Sequence, residues 1–229
     1  TGAKKFIDVS KQAGIYQSNL GYGLGLAVAD LNNDGWDDLY IGNDFHENDY
    51  LYINQKNGTF TEETNDRLMH TSKFSMGVDI ADINNDGLLD IYVCKVGQYK
   101  ILIGKNQLLV CKGINAKGIP YYADEAKEYG LDFSGFSTQA VFFDYDLDGD
   151  LDIAVCGESN NNTVSILLND GGGAFVYSAG YWGGAQAQDI QAGDIDSDGD
   201  MDLAIGSTSG VKVLRNKGNG SFHMPVDYP

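Results

Sequence analysis

"DYDLDGDLD", residues 144–152, places five aspartates at alternate positions within nine residues. Carboxylates held this close repel one another strongly unless a positive charge lies among them. The stretch therefore fits a cation site, a solvated acidic turn or a set of catalytic acids. Its recurrence along the chain separates these hypotheses.

Four copies of this acidic stretch share the pattern D-x-[DN]-x-D-G-x-x-D. The other three are "DLNNDGWDD" (30–38), "DINNDGLLD" (82–90) and "DIDSDGDMD" (194–202). Consecutive copies begin 50 to 62 residues apart. Self-similarity at such a period is typical of repeat architectures, and propellers are among the main ones.

Short apolar segments flank every copy, such as "AVFFD" before the third copy and "DIAVC" after it. A third apolar segment follows, and in most copies it ends in asparagine before a glycine-rich turn and an aromatic residue, as in "NDGGGAF". The second copy departs from this pattern, with Cys111 in place of the asparagine. The residues after the aromatic can form a fourth strand. Four short strands per unit predict the blade of a β-propeller.

The predicted fold is all-β, a β-propeller of four-stranded antiparallel blades in a single domain, 1–229. The predicted blades span approximately 20–65, 74–130, 136–179 and 186–229. Residues 1–19 are expected to be an extra fourth strand and a linker, because Phe6 precedes Asp30 much as Phe60 precedes Asp82. Three arrangements stay open: a small closed ring, a part of a larger propeller, or two chains that complete one another.

The composition limits the class of protein. The 229 residues are 42% hydrophobic, enough to build the core of one large domain or two small ones. A formal charge of −18 argues against nucleic acid or an anionic membrane as a partner. No apolar run approaches the roughly 18 residues that span a bilayer. Nothing at the N terminus resembles a signal peptide.

The acidic loops offer the ligands that calcium prefers. Calcium takes 6–8 oxygen ligands, which side chains at positions 1, 3, 5 and 9 and a carbonyl at position 7 would supply. The glycine at position 6 permits the sharp turn. The predicted ligands are Asp30, Asn32, Asp34, Trp36 and Asp38; Asp82, Asn84, Asp86, Leu88 and Asp90; Asp144, Asp146, Asp148, Asp150 and Asp152; and Asp194, Asp196, Asp198, Asp200 and Asp202. The sequence thus predicts about four Ca²⁺ ions, one per loop.

Other interpretations of the loops fit less well. Glycoside hydrolases use one unlike pair of carboxylates, whereas these loops are four equivalent copies. Magnesium prefers to keep several waters rather than enter an all-protein cage. A solvated turn does not require the glycine or the ninth aspartate. Four bound Ca²⁺ ions would change the formal charge from −18 to −10, so chelation is expected to lower stability.

The loops and the turns "NGTF", "GGAF" and "NGSF" resemble the FG-GAP/VCBS repeats of integrin-α-like β-propellers. Residues up to about 150 are more similar still to bacterial relatives of the ASPIC/UnbV and cartilage-acidic-protein group, as in "GNDFHENDYLYIN" (42–54). The resemblance implies a calcium-stabilised propeller, secreted or at the cell surface. It would act as a non-catalytic binding, adhesion or scaffold module for a protein or glycan ligand.

Two alternatives come from other classes. The first is a polysaccharide-active enzyme or a lectin with its site on one propeller face. The second is an engineered or fragment propeller that self-assembles. The loop "NDFHEND" (43–49) brings His46, Glu47 and Asp49 together and could bind a metal or a sugar, but a polar inter-strand loop is the simpler interpretation.

Cysteine and aromatic positions point to packing rather than chemistry. Cys94 and Cys156 stand where other copies have glycine, which predicts small, buried strand residues. The aromatic residues expected to wedge between blades rather than to stack on sugars are Tyr16, Tyr22, Tyr99, Tyr181 and Trp182.

Overall fold

The computed structural model describes residues 5–44, 47–64, 74–96, 104–133, 135–159 and 162–228. Within these ranges the chain forms four antiparallel sheets of four consecutive strands each, arranged as the blades of a β-propeller, as predicted. Blade 1 contains β1 (Tyr22–Ala29), β2 (Asp38–Asp44), β3 (Tyr50–Asn54) and β4 (Phe60–Glu62), and blade 2 contains β5 (Ser75–Ala81), β6 (Asp90–Lys95), β7 (Gln107–Ile114) and β8 (Pro120–Asp124). Blade 3 contains β9 (Phe136–Phe143), β10 (Asp152–Ser159), β11 (Asn162–Asn169) and β12 (Phe175–Tyr181), and blade 4 contains β13 (Ala187–Gly193), β14 (Asp202–Ser207), β15 (Gly210–Leu214) and β16 (Val226–Tyr228).

Strand order in every blade follows the chain, so each strand pairs with the next through a hairpin. The acidic stretch is the first of these hairpins, because its ninth residue opens the second strand. In blade 3, for example, Asp152 lies opposite Phe143, the residue that ends β9. The four acidic loops therefore occupy the same place in four equivalent sheets.

Apolar packing lies between consecutive blades. Tyr40 and Leu51 of blade 1 pack with Val78 and Ile91 of blade 2, and two similar clusters join blades 2 and 3 and blades 3 and 4. A middle blade is therefore covered on both faces, which explains why β6 (Asp90–Lys95) is buried along its whole length. Burial of this kind stabilises by roughly 25 cal/mol per Å² of apolar surface.

Two faces at the ends of this series are exposed. On β1, the side chains of Leu26 and Val28 are 63% and 54% exposed, whereas Val78, at the position of Leu26 in blade 2, is 4% exposed. On the last blade, Ile195 and Val211 are exposed as well. The inter-blade packing of the described strands joins consecutive blades, which leaves these two faces to solvent.

Other expectations meet the structure as follows. Cys94 and Cys156 are free and buried, as predicted for small strand residues, and Cys111 is free and buried as well. The described part of the N-terminal region, residues 5–21, forms no strand, so the extra fourth strand stays a prediction. No helix in the described ranges has the length and apolar character needed to cross a membrane.

Candidate metal centres

The first aspartate of each loop organises the turn. Asp30 accepts hydrogen bonds from the amides of Asp34 (2.9 Å) and Gly35 (2.7 Å), so its carboxylate lies inside the loop. Asp82 accepts the two equivalent bonds from Asp86 (3.1 Å) and Gly87 (2.8 Å). The backbone thus wraps around the carboxylate at position 1.

Two residues in each loop adopt left-handed backbone conformations. The glycines at position 6 have φ values of 86° (Gly35), 83° (Gly87), 95° (Gly149) and 97° (Gly199), in agreement with the turn expected there. Position 4 is left-handed too, with Asn33, Asn85, Leu147 and Ser197 at 56° to 64°. Sequence reasoning missed position 4, because asparagine occupies it in only two of the four loops. For Leu147 this conformation costs roughly 1–2 kcal/mol.

The ninth aspartate ties its loop to the third strand. Asp152 is fully buried and accepts hydrogen bonds from the amides of Tyr145 and Asn169, each at 2.9 Å. The same pair of bonds recurs in every loop, to Asp38 from Leu31 and Asn54, to Asp90 from Ile83 and Cys111, and to Asp202 from Ile195 and Asn216. This residue therefore holds the blade together whether or not an ion is bound.

Burial also makes these carboxylates hard to ionise. It raises the pKa of Asp38 to about 6, of Asp90 to about 7 and of Asp152 to about 6, although the donated amides lower each value in part. Neighbouring aspartates of the same loop raise the three pKa values further. A positive charge in the loop would relieve both effects.

Three carboxylates converge in each of the last two loops. Oxygens of Asp144, Asp146 and Asp152 lie within 4.8 Å of one another, and so do those of Asp194, Asp196 and Asp202. These are positions 1, 3 and 9 of the pattern. The first two loops have Asn32 and Asn84 at position 3. In loop 3, Oδ1 of Asp144 and Oδ1 of Asp146 are buried without a hydrogen-bond partner among the described residues.

Position 5 lies outside this converging group. Its Oδ1 accepts a hydrogen bond from the amide of position 7. Trp36 donates to Asp34 at 3.1 Å, and Asp150 donates to Asp148 at 3.0 Å. The carboxylate at position 5 therefore fixes the second half of the loop. In loop 1 its second oxygen, Oδ2 of Asp34, accepts a hydrogen bond from Nδ2 of Asn32 (3.0 Å) and lies 3.2 Å from Nζ of Lys56.

Asparagines at the end of the third strand clamp the loops. Their Nδ2 atoms donate to the carbonyl at loop position 8, from Asn54 to Asp37 (2.9 Å), from Asn169 to Leu151 (3.2 Å) and from Asn216 to Met201 (3.3 Å). Sequence reasoning noted the recurring asparagine but assigned it no role. Cys111 at this place in blade 2 keeps only the backbone bond to Asp90 (2.8 Å).

Neighbouring loops also contact one another. Asn33 of loop 1 donates to the carbonyl of Gly87 in loop 2 (3.0 Å), and Asn85 of loop 2 donates to the carboxylate of Asp150 in loop 3 (3.2 Å). The side chain of Asp150 thus accepts a hydrogen bond from the preceding loop, because the blades place the loops side by side.

The polar loop at 43–49 connects β2 to β3, in line with the simpler interpretation, but its last residue is buried. Asp49 is fully buried and accepts hydrogen bonds from the amide of Asn43 (2.8 Å) and from the hydroxyls of Tyr40 (2.9 Å) and Ser75 (3.0 Å). Burial raises its pKa. Asp49 thus joins blade 1 to blade 2, and it is not part of a solvated loop. His46 lies outside the described residues.

The aromatic residues divide into two groups. Tyr181 packs against Phe222 at 5.1 Å between ring centroids, and its hydroxyl contacts that of Tyr145 at 2.9 Å, as expected for a wedge. Tyr16, Tyr22 and Trp182 are exposed, so the same expectation is wrong for them, and Tyr99 lies outside the described residues.

Four-stranded blades, each with an acidic hairpin loop between its first two strands, define a repeat β-propeller with candidate cation sites. The profile of the FG-GAP-like repeat matches residues 10–93 and 144–205, more than half of the chain. The chain belongs to this family. The finer likeness of the first 150 residues to the ASPIC/UnbV group stays a prediction.

Curated relatives include integrin alpha chains. The chain is 36% identical over 83 residues to mouse integrin alpha-3, 35% over 131 residues to human integrin alpha-7 and 33% over 158 residues to chicken integrin alpha-6. These matches cover 31%, 50% and 62% of this chain. They span only 8%, 11% and 14% of the integrin chains.

Solved structures confirm the fold at low sequence identity. An Agrocybe aegerita lectin that recognises non-reducing terminal N-acetylglucosamine is similar with a TM-score of 0.51 at 18% identity, over 87% of this chain and 50% of the lectin. The BBS1N chain of a complex with ARL6DN gives 0.50 at 14% identity, over 90% of this chain and 58% of its own.

Proposed function

We propose that this chain is a calcium-stabilised, non-catalytic propeller module that binds a protein or glycan outside the cytoplasm. The observation that carries the calcium part is loop 3, where three carboxylates converge and two of their oxygens are buried without partners. A buried oxygen that lacks a hydrogen bond destabilises the protein by about 1–3 kcal/mol, more when charged. A bound cation would satisfy both oxygens.

The donor set favours calcium. All proposed side-chain ligands are carboxylate or amide oxygens, and the loops contain no histidine or cysteine. Hard oxygen donors suit calcium, whereas zinc and copper sites draw on nitrogen and sulfur. The side chains at positions 1, 3, 5 and 9 and the carbonyl at position 7 would hold the ion, as predicted for all four loops. When bound, the ion supplies charge neutralisation and rigidity.

The non-catalytic part rests on the equivalence of the loops. A catalytic group is expected to be unique among the blades, whereas the acids at positions 1, 5 and 9 recur in all four loops. His223, the one histidine in the described part of the chain, lies exposed at the outer edge of blade 4. Its amide bonds the carbonyl of Arg215, and nothing in that contact activates a nucleophile.

The partner proposal rests on charge and on family. A formal charge of −18, or −10 with four calcium ions, disfavours nucleic acid and anionic membranes. The integrin relatives favour a protein partner, and the lectin shares the fold alone. Extracellular calcium lies in the millimolar range that suits loops of this type, so we place the module outside the cell or on its surface.

Isothermal titration with CaCl₂ after EDTA treatment and dialysis tests the calcium part. We expect about four binding events per chain and a melting temperature that falls when EDTA is added. MgCl₂ at the same concentration is the control and should restore little of the lost stability. A melting curve that EDTA leaves unchanged would refute the structural role of calcium.

A further inference from the structure

Residues 8–15 repeat the conformation of residues 124–131, the linker from blade 2 to blade 3. In the first segment, the amides of Ser10, Ala13 and Ile15 donate to Asp8 Oδ1 (2.9 Å), Val9 O (2.8 Å) and Ser10 O (2.9 Å). In the second segment, the amides at the matching places, Ala126, Tyr129 and Leu131, donate to Asp124 Oδ1 (3.2 Å), Glu125 O (3.1 Å) and Ala126 O (2.7 Å). The two segments share Asp, Lys and Gly at matching places, and Gly14 and Gly130 have similar φ values of 79° and 75°.

Both segments dock on an outer strand in the same way. The amide of Phe60, at the start of β4, donates to the carbonyl of Ala13 at 2.8 Å. The amide of Phe175, at the start of β12, donates to the carbonyl of Tyr129 at 2.9 Å. Residues 8–15 therefore enter blade 1 as the inter-blade linker enters blade 3.

The residues before this linker are the outer strand of the preceding blade. In blade 2, Tyr122 of β8 pairs with Cys111 and is 2% exposed. By the same spacing Phe6 takes the place of Tyr122, yet its side chain is fully exposed. Lys5–Asp8 forms no strand, but its spacing places it where an outer strand would precede blade 1, beside four complete sheets.

The face of blade 1 next to this segment is also unpartnered. Leu26 and Val28 are exposed there, whereas Val78 and Ile190, which match Leu26 in blades 2 and 4, are buried against the preceding blade. We call the side chains of Leu26, Val28, Leu39 and Ile41 the leading face of blade 1.

The hydrogen bonds of the asparagine that ends the third strand also differ at blade 1. Asn169 and Asn216 each donate to a loop carbonyl of the preceding blade, at 3.1 Å and 2.9 Å. Asn54, the matching residue of blade 1, donates within its own blade to Asp37. In blades 3 and 4 this asparagine donates a hydrogen bond to the preceding blade, and blade 1 has no such bond among the described residues.

We propose that the leading face and Lys5–Asp8 together dock a fifth blade of the same repeat type, one that contributes three antiparallel strands. Lys5–Asp8 completes its sheet by pairing with its third strand, and Phe6 enters the core. Its apolar face covers Leu26 and Val28, and a loop carbonyl accepts the free donor of Asn54. At this place the existing contacts take either a glycine, as Gly42 beside Val78, or a small side chain, as Cys156 in the cluster with Ile190.

A second copy of this chain fits less well. Its blade 4 also exposes a face, with Ile195 and Val211. However, β15 of that blade already pairs with β16, at Val211 with Tyr228 and Val213 with Val226. Its third strand therefore has no open edge for Lys5–Asp8 unless β16 leaves.

A fusion tests the proposal. Residues 186–221, the three inner strands of blade 4 and the turn after them, are placed ahead of Phe6 in place of residues 1–5, so that Phe6 takes the position of Phe222. Phe6→Ala should change the melting temperature of the parent chain by no more than about 1–2 °C. In the fusion the same substitution should lower it by roughly 6–20 °C. Met224→Ala, at an exposed site of blade 4, is the control and should have little effect in either chain.

The outcomes that overturn the proposal are distinct. A fusion as insensitive to Phe6→Ala as the parent would refute it. So would a parent dimer in light scattering that Phe6→Ala dissociates, because a second copy would then be the occupant. If the first fusion does not fold, a second one with residues 135–174 ahead of Phe6 repeats the test, and failure of both counts against the proposal. The comparison is run in calcium and in EDTA, since the docking does not rest on calcium binding.

Discussion

Asp146→Asn and Asp152→Ala separate the role of an ion ligand from that of a structural anchor in the same loop. Asp146 has an unpartnered oxygen, and burial and the Asp148 carboxylate raise its pKa. Asp152 instead accepts two backbone amides at 2.9 Å. Removing the charge of Asp146 thus breaks no hydrogen bond at Oδ1. Truncating Asp152, in contrast, leaves two buried amide N–H groups without an acceptor.

The expected free energies differ in sign and in calcium dependence. Without metal, Asp146→Asn should be neutral or slightly stabilising, because it reduces repulsion within the loop. In calcium at 100 times the dissociation constant, a bound ion contributes about 2.7 kcal/mol, so losing it should cost up to that amount. For a chain of this size that is a fall of about 5–11 °C. Asp152→Ala should cost roughly 2–6 kcal/mol already in EDTA, since each amide left without an acceptor costs about 1–3 kcal/mol, and in calcium the loss of a ligand should add to that cost.

Thermal unfolding followed by circular dichroism, in calcium and in EDTA, measures these differences, and isothermal titration counts the ions. Glu128→Gln, an exposed site outside the loops, makes the same change in charge and should leave both curves unchanged. If Asp146→Asn lowers the melting temperature equally in calcium and in EDTA, or leaves the number of bound ions unchanged, Asp146 is not a ligand and the reasoning fails.

Three further predictions concern packing, pH and reactivity. Gly77→Ala should cost about 1–3 kcal/mol in a urea melt, because its Cβ would lie 1.9 Å from Oε1 of Gln139; Gly193→Ala, with no atom within 4 Å, is the control. Burial raises the pKa of Asp49, so the native protein loses stability as the pH rises from about 4 through that folded pKa. Asp49→Asn should remove this loss, and its melting temperature relative to the parent should therefore rise with pH; a constant difference would contradict it. Burial also raises the pKa of the Cys94 thiol, so iodoacetamide should label it, by mass spectrometry, no faster than the protein unfolds.

Much of the candidate site was readable from the spacing of the acidic residues. Alternate aspartates, a glycine at position 6 and a fixed ninth aspartate predict a hairpin loop, and the structure places positions 1, 3 and 9 together in loops 3 and 4. The ligand role of each position stays a proposal. The dual role of Asp152 was not readable, because its two amide donors come from Tyr145 in the loop and Asn169 on the third strand.

Other features depend on contacts between blades. The burial of Asp49 follows from Ser75 of the next blade, and the hydrogen bond to Asp150 follows from Asn85 of the neighbouring loop. Neither partner lies close in sequence, so a pattern search along the chain treats both aspartates as local features.

The sequence by itself determined the blade: its four strands, its acidic hairpin and its turns, since alternation and turn chemistry act over a few residues. Only the tertiary structure decided which faces are covered. Val78 and Leu26 occupy the same place in their blades, yet one is buried and the other exposed. The physical reason is that burial depends on the neighbouring blade, and a repeating sequence does not specify whether a neighbour is present.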